Sequence, residues 1–122
     1  MSIAYWCVLV AGIFPYIFTM LAKAKGIGFD NHSPREYLNN LTGWRKRANW
    51  IQINSFEAFP FFAVAVIIAS LNHAPSNKID ILAMSFILFR ILYAIAYLKN
   101  IASLRTIIWT CGLVCVVSLF YI

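Results

Sequence analysis

The sequence predicts an all-α membrane protein, a bundle of four transmembrane helices, and three observations carry that expectation. Of the 122 residues, 62% are hydrophobic and 11% charged, and the mean hydropathy is +0.78. A soluble chain this short has no interior large enough to hide so much apolar surface. The apolar residues fall into four blocks, each near the ~20 residues that a helix needs to cross a hydrocarbon core. The charges, +6 in net, collect between the blocks. Because the cations flank hydrophobic spans and form no basic patch interleaved with aromatic residues, no nucleic-acid partner is expected. Residues 1–122 read as a single domain.

The first block, 3–22, is an unbroken uncharged run that makes ~30 Å of helix. It lacks a basic start, carries Pro15 in its middle and exceeds the apolar region of a signal peptide, so it reads as a retained span kinked at Pro15. A long polar connection, 23–47, follows. Gly26 and Gly28 are expected to end the first helix. Ser33-Pro34-Arg35-Glu36 is a helix start, with Ser as N-cap, Pro at the first position and Glu three residues after the cap. It predicts a short surface helix over 34–41, after which Gly43 turns the chain. The second span covers 48–71, and Pro60 is expected to bend it by leaving the Phe56 carbonyl without a donor. A tight loop, 72–77, leads to the third span, 79–98, with Asp80 favourably placed at a helix N-terminus. After a short turn the fourth span runs over 105–122.

Lys23, Lys25, Arg35, Arg45, Lys46, Arg47, Lys99 and Arg105 belong to one side of this arrangement, and Lys78 alone to the other. The positive-inside rule places the two basic connections in the cytoplasm and both termini outside it, in a multi-pass integral membrane protein of the inner membrane if the source is bacterial. Cys7, Cys111 and Cys115 are too few for a disulfide framework and read as packing residues. His32 and His73 sit in separate loops without ligand spacing, so no metal site is expected.

The functional signal is a polar stripe sinking into the second span. Arg47, Trp50, Asn54, Glu57 and Phe61 recur at steps of three or four and share one helical face, with Gln52 nearby. In the third span Arg90, Tyr93 and Tyr97 form a second stripe, and Arg105 enters from the fourth span at the same level. Glu57 lies ~15 Å beyond Arg47, and Arg90 ~12 Å beyond Leu98, so the two can meet. A buried interhelical ion pair would account for those two residues alone. It leaves over the hydrogen-bonding capacity of Arg47, Gln52, Asn54, Tyr93, Tyr97 and Arg105, an excess that points to a small polar anion in a cleft open to the cytoplasm.

These residues also carry a family resemblance. Arg47-Ala48 followed by Gln52-Ile53-Asn54-Ser55-Phe56-Glu57-Ala58-Phe59-Pro60 resembles the second-helix signature of the MAPEG family, the membrane-associated proteins in eicosanoid and glutathione metabolism. Arg90-x-x-Tyr93-x-x-x-Tyr97, followed by Leu104-Arg105-Thr106, resembles the family's third helix and the arginine that opens its fourth. The resemblance implies a homotrimer that binds glutathione, as co-substrate, in a cytoplasm-facing cleft between protomers. It implies that Asn54, Glu57, Arg90, Tyr93 and Tyr97 hold the tripeptide, that Gln52 reaches it from a neighbouring protomer, and that Arg105 is the catalytic cation. Trp50 stands where many relatives have a second arginine, and Arg47, one turn away, is the residue expected to compensate.

Electrostatics gives Arg105 its role. A free thiol titrates near ~8.5, so little of it is thiolate at neutral pH. A guanidinium ~4 Å away at an effective dielectric of ~20 contributes about 4 kcal/mol, enough after partial desolvation to make thiolate dominant. The expected activity is that of a glutathione-dependent transferase or peroxidase, delivering the thiolate to lipophilic electrophiles or hydroperoxides that arrive from the membrane lipids. The alternatives are a non-catalytic member of the same fold that binds lipid or a protein partner, and a small proton-coupled exporter, against which the arginines beside Glu57 argue.

Overall fold

Small side chains set how closely the helices approach. Ala4, Cys7 and Ala11 of the first helix, Ala65 and Ala69 of the third and Ala83 of the fourth are all buried in one cluster. Their short side chains let backbones come together where dispersion and packing replace the hydrophobic effect as the driving force. The computed structural model describes residues 1–24 and 31–122. Its helices are α1 (Ile3–Lys23), α2 (Pro34–Asn39), α3 (Gly43–Leu71), α4 (Ser76–Leu98) and α5 (Ala102–Ser118). By length and composition α1, α3 and α4 can cross a membrane, and α5 is a shorter apolar helix of 17 residues, at the lower end of spanning lengths. Large apolar side chains such as Ile13, Met20, Ile67, Ile81, Leu88 and Ile107 lie exposed on the outside of the bundle, the surface that lipid covers.

α1 packs mainly on α3, α4 mainly on α5, and both α1 and α3 touch α4. The ring of Phe62 stacks on that of Phe86 at 4.1 Å, joining α3 to α4 in the centre of the cluster. α3 and α5 meet only over a short stretch, which leaves a gap between them.

The helix ends show why the chain turns where it does. α4 finishes in a Schellman motif: Asn100 takes φ +60°, its N–H bonds the Tyr97 carbonyl, and the Ile101 N–H reaches back to Ala96. α3 finishes the same way, with His73 at φ +57° and N–H bonds from His73 to Ser70 and from Ala74 to Ala69. Pro75 follows and stops any continuation.

Several boundaries differ from expectation. α3 starts at Gly43, five residues before the apolar run, so Arg45, Lys46 and Arg47 are helical. Hydropathy marks where lipid begins, and a helix extends beyond that point at no cost when its cations stay in the headgroups. The prolines mark no boundary: Pro15 lies inside α1 and Pro60 inside α3, each within the span the sequence assigned it. Ser33 does occupy the N-cap of α2, with Pro34 after it, yet its hydroxyl makes no cap bond, and the helix ends at Asn39 instead of Leu41. Gly26 and Gly28, expected to end the first helix, lie outside the described residues, as does Lys25; α1 closes earlier, on Lys23. Asp80 is in the second turn of α4, and its Oδ1 accepts the Ala4 N–H at 2.9 Å. It therefore satisfies an orphan donor at the start of α1, a partner that local sequence cannot reveal.

Candidate functional site

α4 presents Arg90, Tyr93 and Tyr97 along one stripe, and the first two are only 6% and 5% exposed. The Arg90 guanidinium donates from Nη2 to Asn54 Oδ1 at 2.8 Å and to Ser55 Oγ at 3.0 Å, both on α3. Its carbon lies 4.5 Å from the centre of the Tyr93 ring. Tyr93 meets Tyr97 edge to face, 5.5 Å between centres, and the Arg105 guanidinium sits 4.5 Å over the Tyr97 ring. The outcome is a row of two phenols with an arginine at each end. Cation–π attraction of ~0.5–2 kcal/mol per pair fixes where each guanidinium points without consuming its hydrogen-bond donors.

Two adjoining cavities flank this row. One, of about 250 Å³, is bounded by Tyr97, Arg105 and Thr106 together with Asn54, Tyr93 and Trp109. The other, of about 190 Å³, shares Asn54, Tyr93 and Trp109 and continues past Glu57 and Arg90 into the gap between α3 and α5. Together they reach the ~300–1,000 Å³ range of small-molecule sites.

Of the residues expected to form a site, Asn54, Glu57, Arg90, Tyr93, Tyr97 and Arg105 are thus brought together. Glu57 and Arg90 do not form the ion pair that their matching depths allow. Asn54 and Ser55 intercept the guanidinium, and Glu57 stays exposed on the surface of the protomer. Arg47 and Gln52 go elsewhere. Arg47 donates from Nε and Nη2 to the Leu98 carbonyl, each at 3.2 Å. That carbonyl is at the C-terminal end of α4, where a cation also complements the helix dipole. Gln52 is buried against α1: it accepts from the Thr19 hydroxyl and donates to Asn49 Oδ1 at 2.8 Å, while Asn49 reaches the Leu38 carbonyl of α2 at 3.4 Å. Neither Arg47 nor Gln52 lines the cavities.

Three further residues adjoin these side chains. Ser55 was inside the quoted motif without a role. Trp109 stands one turn after Arg105, a spacing that could have placed it beside the same site. Lys46 holds its ammonium 5.1 Å over the Trp50 ring, and that ring lies 6.2 Å from Tyr97, so the charge missing from position 50 returns one turn earlier. Thr106 donates its hydroxyl to the Ala102 carbonyl at 3.2 Å and bounds the Arg105 cavity.

A family model, that of the MAPEG family, matches residues 3–122, nearly the whole chain. No curated protein and no solved structure matches it.

Proposed function

The chain belongs to the MAPEG family, and from that premise we propose that it is a membrane-embedded, glutathione-dependent transferase or peroxidase. The observation that carries this reading is the state of Glu57 and Arg90. If the two existed to hold α3 against α4, they would satisfy each other. Instead Arg90 is anchored by neutral partners, and the Glu57 carboxylate is left at the wall of a cavity that leads to Arg105. A carboxylate exposed on an apolar helix is costly against lipid. A homotrimer in which a second copy covers this face, and a bound peptide whose ammonium meets Glu57, removes that cost.

In this reading Glu57 and Asn54 hold the amino end of glutathione, Tyr93 and Tyr97 donate to its carbonyls and carboxylates, and Arg90 orients Asn54. Lys46, steered by Trp50, offers a further cation at the mouth. Arg105 faces the sulfur. Its guanidinium stabilises the thiolate relative to the thiol, and the proton leaves to water. The thiolate then attacks an electrophilic carbon, whose leaving group departs with the electron pair, or the terminal oxygen of a hydroperoxide, where the O–O bond breaks and the alkoxide leaves and is protonated by water. The basic end, with Arg105, faces the cytoplasm and its soluble thiol, and both termini lie on the other side.

The test uses purified protein titrated with glutathione while ultraviolet thiolate absorbance is followed. A saturable rise that disappears in Arg105→Leu supports the proposal. Absence of any rise in the wild type, or an undiminished rise in Arg105→Leu, refutes it and leaves the non-catalytic, lipid- or partner-binding reading.

A further inference from the structure

At the end of the bundle away from Arg105, the start of α1, the end of α3 and the start of α4 surround a further cavity. It measures about 390 Å³ and is bordered by Ser2, Tyr5, Ser70, His73, Ser76 and Asp80, within the ~300–1,000 Å³ range of small-molecule sites. Ser70 is ~20 Å along α3 from Glu57, so this space is separate from the candidate site and from the Glu57 face. Its wall is rich in acceptors. Asp80 is half-buried, and its Oδ1 takes the Ala4 N–H at 2.9 Å; a carboxylate has room for further donors. Among the described residues no cation pairs with it. Lys78 is two positions earlier on α4, and helical residues two apart do not face each other. Ser70 spends its proton on the Val66 carbonyl at 2.9 Å, so it can only accept another hydrogen bond. In its neutral form the His73 imidazole adds an acceptor nitrogen.

We propose that this cavity binds a primary ammonium on a short polar stem, the head-group chemistry of an aminophospholipid or of a soluble amine such as phosphoethanolamine. Charge decides the sign. A half-buried carboxylate at the edge of an apolar span is costly without a counter-ion, and it repels an anionic guest that brings no cation of its own. Hydrogen bonding decides the type. A primary ammonium carries three donors and no acceptor, which matches Asp80, Ser70 and His73. A quaternary ammonium has no donor to give these groups and is held by a cage of aromatic rings, whereas one ring, that of Tyr5, borders this cavity. The hydroxyls suit the rest of the head group. Ser2 Oγ accepts the Tyr5 N–H at 3.3 Å and keeps its proton to donate, and Ser76, at the first position of α4, offers another. Of the two sources the surroundings favour the lipid. Ile3 and Ile81, the chain neighbours of Ser2 and Asp80, are 49% and 57% exposed, so a lipid whose amine enters the cavity can lay its acyl chains over the outside of the bundle. The proposal stands independently of the glutathione reading.

Native mass spectrometry of the full-length protein released from micelles tests this. The probe is dilauroyl phosphatidylethanolamine, and the controls are phosphatidylcholine and phosphatidylglycerol with the same chains. The wild type should retain the ethanolamine lipid saturably and at least tenfold more tightly than either control. Asp80→Asn keeps an acceptor for the Ala4 N–H and removes the charge, so its affinity for the ethanolamine lipid should fall at least tenfold, to that for the choline lipid. If Asp80→Asn does not fold, Ser76→Trp decides: it changes an exposed residue outside the Asp80–Ala4 contact, fills the cavity and should abolish the same preference. Competition with free phosphoethanolamine identifies the source. Displacement of the lipid at comparable concentrations assigns the site to a soluble amine, and persistence of the lipid assigns it to the membrane. Equal wild-type affinity for the ethanolamine and choline lipids, or undiminished retention of the ethanolamine lipid in the folded variant, overturns the proposal.

Discussion

Arg90 offers a clean separation between what stabilises this bundle and what serves a ligand. Asn54→Leu removes one of the two acceptors that hold its guanidinium and leaves a buried charge under-satisfied. A hydrogen bond to a charged group is worth ~1.5–3 kcal/mol, so the variant should lose about 2 kcal/mol. Arg90→Met removes the charge itself and fills similar volume. Replacing a buried charge together with its need for partners is often neutral or stabilising, by up to roughly 1–4 kcal/mol for whole ion pairs. The groups left behind can find other partners: Asn54 faces a cavity that admits water, and Ser55 can donate to the carbonyl one turn back, as Ser70 does to Val66 at 2.9 Å. The expected order of stability, measured by reversible denaturant unfolding in mixed micelles, is therefore Arg90→Met at or above wild type and Asn54→Leu below it, with glutathione binding lost in both. An Arg90→Met protein as unstable as Asn54→Leu would show that the arginine is a structural strut, and the reasoning that reserves it for a ligand would fail.

Other substitutions probe residues that the structure moves away from the site. Gln52→Leu strands the buried Asn49 carbonyl oxygen and should cost ~1–3 kcal/mol in the same unfolding assay, while glutathione affinity in dialysis stays within twofold of wild type; a binding loss without destabilisation would return Gln52 to the site. Arg47→Ala uncovers the Leu98 carbonyl and should cost about 1 kcal/mol, with faster amide hydrogen exchange confined to the last turn of α4, and uniform or absent acceleration would contradict that role.

What the sequence made legible is what period and hydropathy encode. Apolar blocks located the long helices, because lipid requires each span to satisfy its own backbone. Steps of three and four put Asn54 with Glu57 and Arg90 with Tyr93 and Tyr97, because those spacings survive any tertiary arrangement. Matching depth did not make a contact of Glu57 and Arg90, since depth leaves the rotation of each helix free and Asn54 stood closer. Gln52 shows the same limit from the other side. It is two residues from Asn54, nearly opposite around a helix of ~3.6 residues per turn, so its partner had to be α1, and only the packing of α1 on α3 supplies Thr19. Asp80 was read against the dipole of its own helix, whereas the N–H it satisfies belongs to Ala4, 76 positions away. The cavity between α3 and α5 could not be anticipated, because it depends on how little the two helices touch.

The space between Arg105 and Glu57 is proposed to take up glutathione through an ammonium held by the Glu57 carboxylate. Equilibrium dialysis of labelled glutathione against the purified wild type and Glu57→Gln tests that contact. Binding should be saturable and weaken at least tenfold in the variant, about 1.4 kcal/mol, with a glutathione analogue lacking the amino group binding both proteins equally. Equal affinity of the two proteins for glutathione itself would contradict it.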